Sequence, residues 1–210
     1  MPKTLFMIKK LLICLICLLV ISNKSEAQIE KKFNLSIAKG DIIVDGYYGF
    51  LTFHKAGLLF IASQVSAGYT DYSYSGYGPI GGRVEYMVSD MIGLGMEFNY
   101  ANDNIVWQEG NYNYDYNVTR MRIFPRLNIH FSEDEKLDAY FSIGAGYREV
   151  IRSMSSDRPN FYGYSHPAFI PIAIRLAVGV RYFFTDHVGL AFEAGFGGGA
   201  LLHPGLSFKF

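Results

Sequence analysis

From residue 41 to the C-terminus, apolar and polar residues alternate with a period of two, again and again. Leu202, Pro204, Leu206, Phe208 and Phe210 fall on one face, and His203, Gly205, Ser207 and Lys209 on the other. Val188, Leu190, Phe192, Ala194 and Phe196 likewise oppose Gly189, Ala191, Glu193 and Gly195. Ile172 to Phe184 repeats the pattern with Arg175 and Arg181 on the second face. A period of two is the signature of a strand whose faces meet different surroundings. The alternation predicts eight strands, over 41–50, 79–88, 91–102, 115–131, 137–150, 169–184, 187–196 and 201–210. Each is close to the ~9–11 residues that a tilted strand needs to cross a bilayer.

The connections alternate too. Ser89-Asp90, Ser132 to Lys136 and Thr185-Asp186 are short, whereas 51–78, 103–114 and 151–168 are longer, and Gly197 to Ala200 is brief. Short periplasmic turns and longer outer loops, with an even strand count, describe a transmembrane barrel. One face is almost wholly Leu, Ile, Val, Phe and Tyr. The other carries Asp45, Arg83, Glu85, Glu97, Arg120, Arg122, Arg126, Asp138, Arg148, Arg175, Arg181, Glu193 and Lys209. A soluble barrel has the reverse polarity. Arg or Lys facing lipid at mid-bilayer costs ~2–4 kcal/mol each, so the charged face is expected inside. The fold expected is all-β: an eight-stranded antiparallel up-and-down transmembrane barrel. Phe131, Tyr182, Phe184, Phe208 and Phe210 fit an aromatic girdle at the periplasmic rim, and Tyr48, Tyr100, Tyr147 and Phe196 at the other.

Two stretches resist the pattern. Leu58 to Val65 is apolar inside the longest loop, and reads as a short helix or as an extension of the second strand. Two strands from that loop would make a ten-stranded barrel. Pro125 falls mid-strand, where its missing N–H breaks the ladder, and a bulge is expected there.

The N-terminus changes the picture. Lys3, Lys9 and Lys10 precede an apolar run from Leu11 to Ile21, and Ser25-Glu26-Ala27 offers small residues before Gln28. That is the layout of a cleaved signal peptide, so residues 1–27 are expected to be removed. Residues 28–40 then form a periplasmic tail and 41–210 the barrel. Cys14 and Cys17 both lie in the apolar run, so the chain beyond residue 27 has no cysteine and no thiolate chemistry. It carries 15 basic and 18 acidic side chains, which gives no sign of nucleic-acid binding.

The segments Tyr47-Tyr48-Gly49-Phe50, Gly78 to Tyr86, Val178 to Phe184 and Gly205 to Phe210 carry a family resemblance. Together they are similar to the small eight-stranded outer-membrane barrels of the OmpA/OmpX type, and to Bacteroidetes outer-membrane β-barrel proteins in particular. The resemblance implies the fold and the bacterial outer membrane as compartment, with lipid as surroundings. It also implies that Leu206, Phe208 and Phe210 serve as the signal read by the barrel-assembly machinery. It implies no activity.

Three classes of function are open. An eight-stranded barrel is only wide enough for side chains to fill. The eight basic and five acidic lumen residues are therefore expected to pair into a core, giving a structural or interaction protein. Their basic excess makes a narrow anion-leaning pore the alternative. A lipid-modifying enzyme comes third. His203 has Glu193 on the neighbouring strand, but Gly205 stands where a serine nucleophile would be needed. No catalytic residue, cofactor or metal is expected: His54, His130 and His187 show no ligand spacing. Tyr69, Tyr72, Tyr74, Tyr77, Tyr112, Tyr114, Tyr162 and Tyr164 interleave with Ser, Gly, Asn and Asp in the loops. That composition suits contact with an unidentified extracellular ligand.

Overall fold

The structure is a computed structural model that describes residues 35–52, 57, 70–167 and 171–210. The strands are β1 (Ile42–Tyr48), β2 (Thr70–Met87), β3 (Ile92–Glu109), β4 (Tyr112–His130), β5 (Leu137–Ser156), β6 (Tyr164–Pro167), β7 (Ile172–Phe183), β8 (Val188–Phe196) and β9 (Leu202–Lys209). Eight of them close a barrel in the order β1-β2-β3-β4-β5-β7-β8-β9, each antiparallel to its neighbours, with β9 returning to β1. Among the described residues the short β6 pairs only with the far end of β5. The chain is therefore an all-β protein with a closed eight-stranded antiparallel barrel. Among the described residues no helix is long and apolar enough to cross a membrane.

The period-two pattern becomes a period-two burial pattern, clearest in β7, where every second residue from Ala173 to Phe183 is buried. Inside the barrel lie the charged and polar residues; outside lie Leu94, Met96, Phe98, Ile123, Leu127, Ile174, Leu190 and their like, all exposed. The aromatics at the strand ends point outward as well, from Phe131, Tyr182 and Phe210 at one rim to Tyr48, Tyr147 and Phe196 at the other.

The strand ends differ from the alternation reading in one systematic way. Segments expected as loops are largely strand. β2 begins at Thr70, so nine residues of the expected 51–78 loop belong to it. Leu58 to Val65 lies outside the described residues. The expected 103–114 loop is a continuous hairpin, paired from Ile92↔Ile129 to Glu109↔Tyr112 without a register shift. It turns through Gly110-Asn111, and Gly110 has a positive φ of 62°. Gly with positive φ at the first position of a two-residue turn matches the right-handed twist of its strands. β5 likewise runs on to Ser156 and folds back as β6.

Pro125 causes no bulge. The β4–β5 register is the same on both sides of it, from Ile123↔Tyr147 to Arg126↔Gly144. Small residues oppose it, and the strands approach so closely that a Cβ on Gly146 would lie 2.0 Å from the Ile123 carbonyl oxygen. The register shifts instead in β2, between Thr70 and Ser73 and again between Tyr77 and Ile80. Gly78-Pro79 occupies the second of these steps, and a bulge tolerates the donor that proline lacks.

Because β3 and β4 keep one register throughout, their two faces can be followed from rim to tip. On the outer face Leu94, Met96, Phe98 and Tyr100 give way to Asn102 and Asn104. On β4 the outward Leu127, Ile123 and Met121 give way to Thr119, Asn117 and Asp115. There Asn102 Nδ2 donates to Asn117 Oδ1 and to Thr119 Oγ1, both at 3.0 Å, and Asn104 Nδ2 to Asp115 Oδ1 at 3.1 Å. The inner face changes in the opposite sense: Glu97, Asn99, Arg122 and Arg126 below, then Ile105, Val118 and Tyr114 above, all buried. The outer face thus turns polar just above Tyr100 and Met121, whereas the inner face still holds the buried Arg120–Asp103 pair there and turns apolar beside and beyond it.

Candidate functional site: the charged interior and the mouth

The interior is organised around two ions. Glu193 on β8 receives three arginines from three other strands. Its Oε2 accepts from Arg83 Nη1 of β2 at 2.6 Å and from Arg126 Nη2 of β4 at 2.5 Å. Its Oε1 accepts from Arg175 of β7 through Nε at 2.9 Å and Nη2 at 2.5 Å. The Tyr140 hydroxyl adds a bond to Oε2 at 3.0 Å. Arg181 on β7 is the counterpart, one guanidinium shared by three carboxylates. It reaches Asp138 at 2.9 Å, Glu85 at 2.7 Å and Asp45 at 3.0 Å. Its plane lies over the Tyr140 ring, 4.4 Å from the centroid.

Further groups join these clusters. Glu97 accepts from the Tyr47 hydroxyl at 2.5 Å and from Arg126. Arg83 links the two halves, since it also approaches Asp45 at 3.8 Å and lies 4.5 Å over the Tyr47 ring. His130 sits between Asp138 at 2.7 Å on Nδ1 and Glu85 at 2.8 Å on Nε2. A carboxylate only accepts, so both ring nitrogens must donate and His130 is an imidazolium. Arg83, Arg126, Arg175, Arg181 and His130 then balance Asp45, Glu85, Glu97, Asp138 and Glu193 one for one. All ten are buried. Charges at that depth are tolerable only in such pairs.

His203 shows how the sequence expectation changes in three dimensions. It faces Glu193 in the ladder. The two are joined through Arg175, however, whose Nη2 lies 2.9 Å from His203 Nδ1, while the ring stacks on Tyr47 at 4.3 Å. Among the described residues no serine hydroxyl hydrogen-bonds to His203, and no cluster of His, Cys, Asp and Glu could hold a metal.

Both ends of this interior are covered. At the end that holds Phe210, Ile37 packs against Ile43, Met87 and Phe183. The tail that carries Ile37 is tied to the rim: Ser36 N donates to the Asp134 carbonyl at 2.8 Å and Lys39 N to Asp90 Oδ1 at 2.8 Å. Lys209 Nζ holds the Ser36 carbonyl at 2.6 Å. Residues 36–39 of the stretch expected as a periplasmic tail make these contacts with the barrel. At the other end the turn Gly197 to Ala200 bends inward. Its Gly198 carbonyl accepts from Asn99 Nδ2 at 3.2 Å, and a Cβ on Gly198 would sit 1.9 Å from Arg175 Nη1. A side chain there would displace the Arg175 guanidinium, and the flanking Gly197 and Gly199 take positive φ.

The remaining basic residues are not in the central network. Arg120 and Arg122 are buried beside the inward turn, with Arg148 half-buried near them. Asp103, not singled out by sequence, accepts from Arg120 and from the Tyr74 hydroxyl. The basic excess expected along the whole lumen is thus concentrated at the mouth.

The tyrosines fall into distinct settings. Tyr69 lies outside the described residues. Tyr72 and Tyr74 are half-buried, and Tyr77 is exposed and stacks on Tyr100 at 5.9 Å. Tyr114 is buried rather than presented: it stacks on Trp107 at 5.4 Å and meets the edge of Phe161 at 5.8 Å. Tyr112 is exposed beneath the Arg158 guanidinium at 5.9 Å, Tyr162 is 90% exposed, and Tyr164 stacks on His166 at 5.5 Å. The backbone N–H of Asn113 donates to Asp157 at 2.7 Å and ties the β3–β4 tip to the loop after β5. Leu206, Phe208 and Phe210 all point outward.

No protein-family model matches the chain, and no curated protein matches it. Solved structures do. The N-terminal β-barrel domain of Pseudomonas aeruginosa OprF matches over 83% of this chain and 100% of its own, at 12% identity and a TM-score of 0.40. Ail, the attachment invasion locus protein of Yersinia pestis, matches over 82% of this chain and 99% of its own, at 12% identity and a TM-score of 0.45. The same protein in complex with the heparin analogue sucrose octasulfate gives the same values.

Proposed function

We propose that the chain is an integral protein of the bacterial outer membrane, in which a filled barrel anchors a raised surface for contact outside the cell. The inversion of polarity along β3 and β4 carries this reading. Below Tyr100 an apolar exterior encloses charges, as lipid requires; above it the exterior is polar, as water requires, and beside and beyond the buried Arg120–Asp103 pair the interior holds Ile105, Val118 and Tyr114. The same two strands pass from one solvent to the other without a break, so their upper part stands above the membrane as a ribbon. Trp107, Tyr114 and Phe161 stiffen its tip, and Tyr112 and Tyr162 are presented from it. Loops and ribbons on a rigid scaffold are where binding residues gather. The partners under this reading are lipid around the barrel, the assembly machinery at Leu206, Phe208 and Phe210, and an extracellular ligand at the ribbon.

The test is to replace Val106 to Asp115 by a two-residue Asn-Gly turn and display the variant on cells. The expected result is unchanged membrane insertion, seen as heat-modifiable gel migration, with loss of attachment to host-cell or glycan-coated surfaces. Attachment equal to that of the parent would contradict the contact role.

A further inference from the structure

A furrow of about 570 Å3 interrupts the apolar outer surface of β2 and β3, just below the level where that surface turns polar. Ile80, Phe98 and Tyr100 form its walls, and Tyr77 closes its upper end by stacking on Tyr100 at 5.9 Å. Gly82 lies on its floor and pairs with Gly46 on β1, so two neighbouring outward positions carry no side chain. The backbone does not demand glycine at either. Neither takes a positive φ, a Cβ on Gly46 would meet nothing within 4 Å, and the nearest atom to one on Gly82 would be the Asp45 carbonyl oxygen at 3.3 Å. Glycine weakens a strand interior, and what it leaves here is space on the lipid side. Directly above, in register, stands a polar ladder. Tyr77 pairs with Asn102 and Ser75 with Asn104, and Asn102 donates to Asn117 and Thr119 on β4. Asn117 Nδ2 returns a bond to Asn102 Oδ1 at 3.3 Å. These bonds fix the amides in place. Among the described residues they leave one N–H of Asn117 and one lone pair of Asn102 Oδ1 for an outside partner. The outward charges nearby, Asp115 and Glu149, are acidic, and no Lys or Arg stands on this face among the described residues of β2 to β5.

We infer that furrow and ladder together form a site for one lipid of the outer leaflet, with an acyl chain in the furrow and an uncharged, hydroxyl-rich sugar headgroup against Asn102, Asn117 and Thr119. The inference rests on the outer-membrane reading and does not depend on contact by the ribbon tip. The furrow continues the surface that faces lipid, so an acyl chain is what reaches it, and an unfilled gap would forfeit the dispersion contacts of its walls. Strands rise ~3.3 Å per residue, so Asn102 stands one headgroup's reach above Tyr100. A phosphate there would meet Asp115 and Glu149 with no cation to hold it, whereas sugar hydroxyls both donate to and accept from amides. Amides already locked by one another lose little freedom when a ligand arrives.

The experiment is native mass spectrometry of the full chain beyond residue 27, refolded in detergent. It is given an equimolar mixture of monoglucosyl dioleoylglycerol and dioleoyl phosphatidylglycerol, which share their chains and differ in headgroup. Retention of the glucolipid over the phospholipid by at least about fivefold is expected, the effect of one or two hydrogen bonds. Gly82→Leu fills the furrow and is expected to lower retention of both lipids. Gly46→Leu, where a Cβ meets open space, narrows the same gap and serves if the first variant does not fold. Asn117→Val removes the N–H left to the ladder and is expected to abolish the preference while retention persists. Equal retention of the two lipids by the parent, retention unchanged in a folded leucine variant, or a sugar preference that survives Asn117→Val would overturn the proposal. In each of those cases insertion of the parent into lipid vesicles, seen as heat-modifiable migration, leaves the outer-membrane reading standing; a parent that does not insert overturns both.

Discussion

Arg83 and Glu193 are 110 residues apart in the chain and bonded at 2.6 Å across the interior of the barrel. Glu193 also takes Arg126 and Arg175, so one carboxylate on β8 draws β2, β4 and β7 together. Glu193→Gln would leave three buried guanidiniums short of a charge. Breaking a buried pair by removing one partner costs about 3–5 kcal/mol, and that loss is expected in urea unfolding from lipid vesicles. A further R175Q change removes an unpaired cation and should recover part of the loss; a strictly additive double variant would argue against the network.

Tyr47 is held by its hydroxyl on Glu97 at 2.5 Å. Tyr47→Phe keeps the stack on His203 and removes that bond, together with the long one that the hydroxyl accepts from Asn99 Nδ2 at 3.4 Å. A hydrogen bond to a charged group contributes about 1.5–3 kcal/mol, so the same unfolding measurement should fall by an amount in that range. No change in stability would mean that Glu97 is satisfied without it.

The boundary between lipid and water can be read directly. With no cysteine beyond residue 27, single cysteines carrying spin labels can be placed at will. Labels at Met96 and Phe98 should collide with dissolved oxygen, and labels at Asn102, Asn104 and Asn117 with a water-soluble nickel reagent. The switch is expected within the five residues from Phe98 to Asn102. A gradual change over the whole of β3, or none, would contradict the inversion.

Asp134 lies in the turn between β4 and β5, where the backbone N–H groups of Lys136 and Leu137 hold its carboxylate below the usual range. A carboxyl group depressed in the folded state adds stability above its unfolded pKa. That contribution is lost as pH falls through the folded value. Carboxyl NMR should find Asp134 titrating below an ordinary aspartate, and Asp134→Asn should shift its neighbours Lys136 and Leu137 at neutral pH but not in strong acid.

Much of this architecture was legible because alternation is a local signal. It located all eight barrel strands and put Arg175, Arg181 and Glu193 on the inner face. Where β3 and β4 continued past Tyr100 and Met121, the signal reversed: Asn102, Asn117 and Thr119 face out and Ile105 and Val118 in. Polar residues on the outer face then read as loop. Gly110-Asn111, flanked by such residues, was the turn signal that could have revealed the hairpin. Which charges meet was not legible at all. His130 and Asp103 join the ionic groups, and Arg175 separates His203 from Glu193, through contacts across the barrel that no spacing along one strand encodes. The bulge at Gly78-Pro79 and the absence of one at Pro125 depend on what stands opposite each proline, which is equally non-local.

The interior is filled, with five cations against five anions between an apolar floor at Ile37 and the inward turn at Gly198. Single-channel recording in planar bilayers tests it most directly, on protein shown to be folded by its heat-modifiable migration. The account predicts silence. Reproducible conductance steps, above all with a preference for anions, would mean an open path past Glu193 and Arg181 and would contradict it.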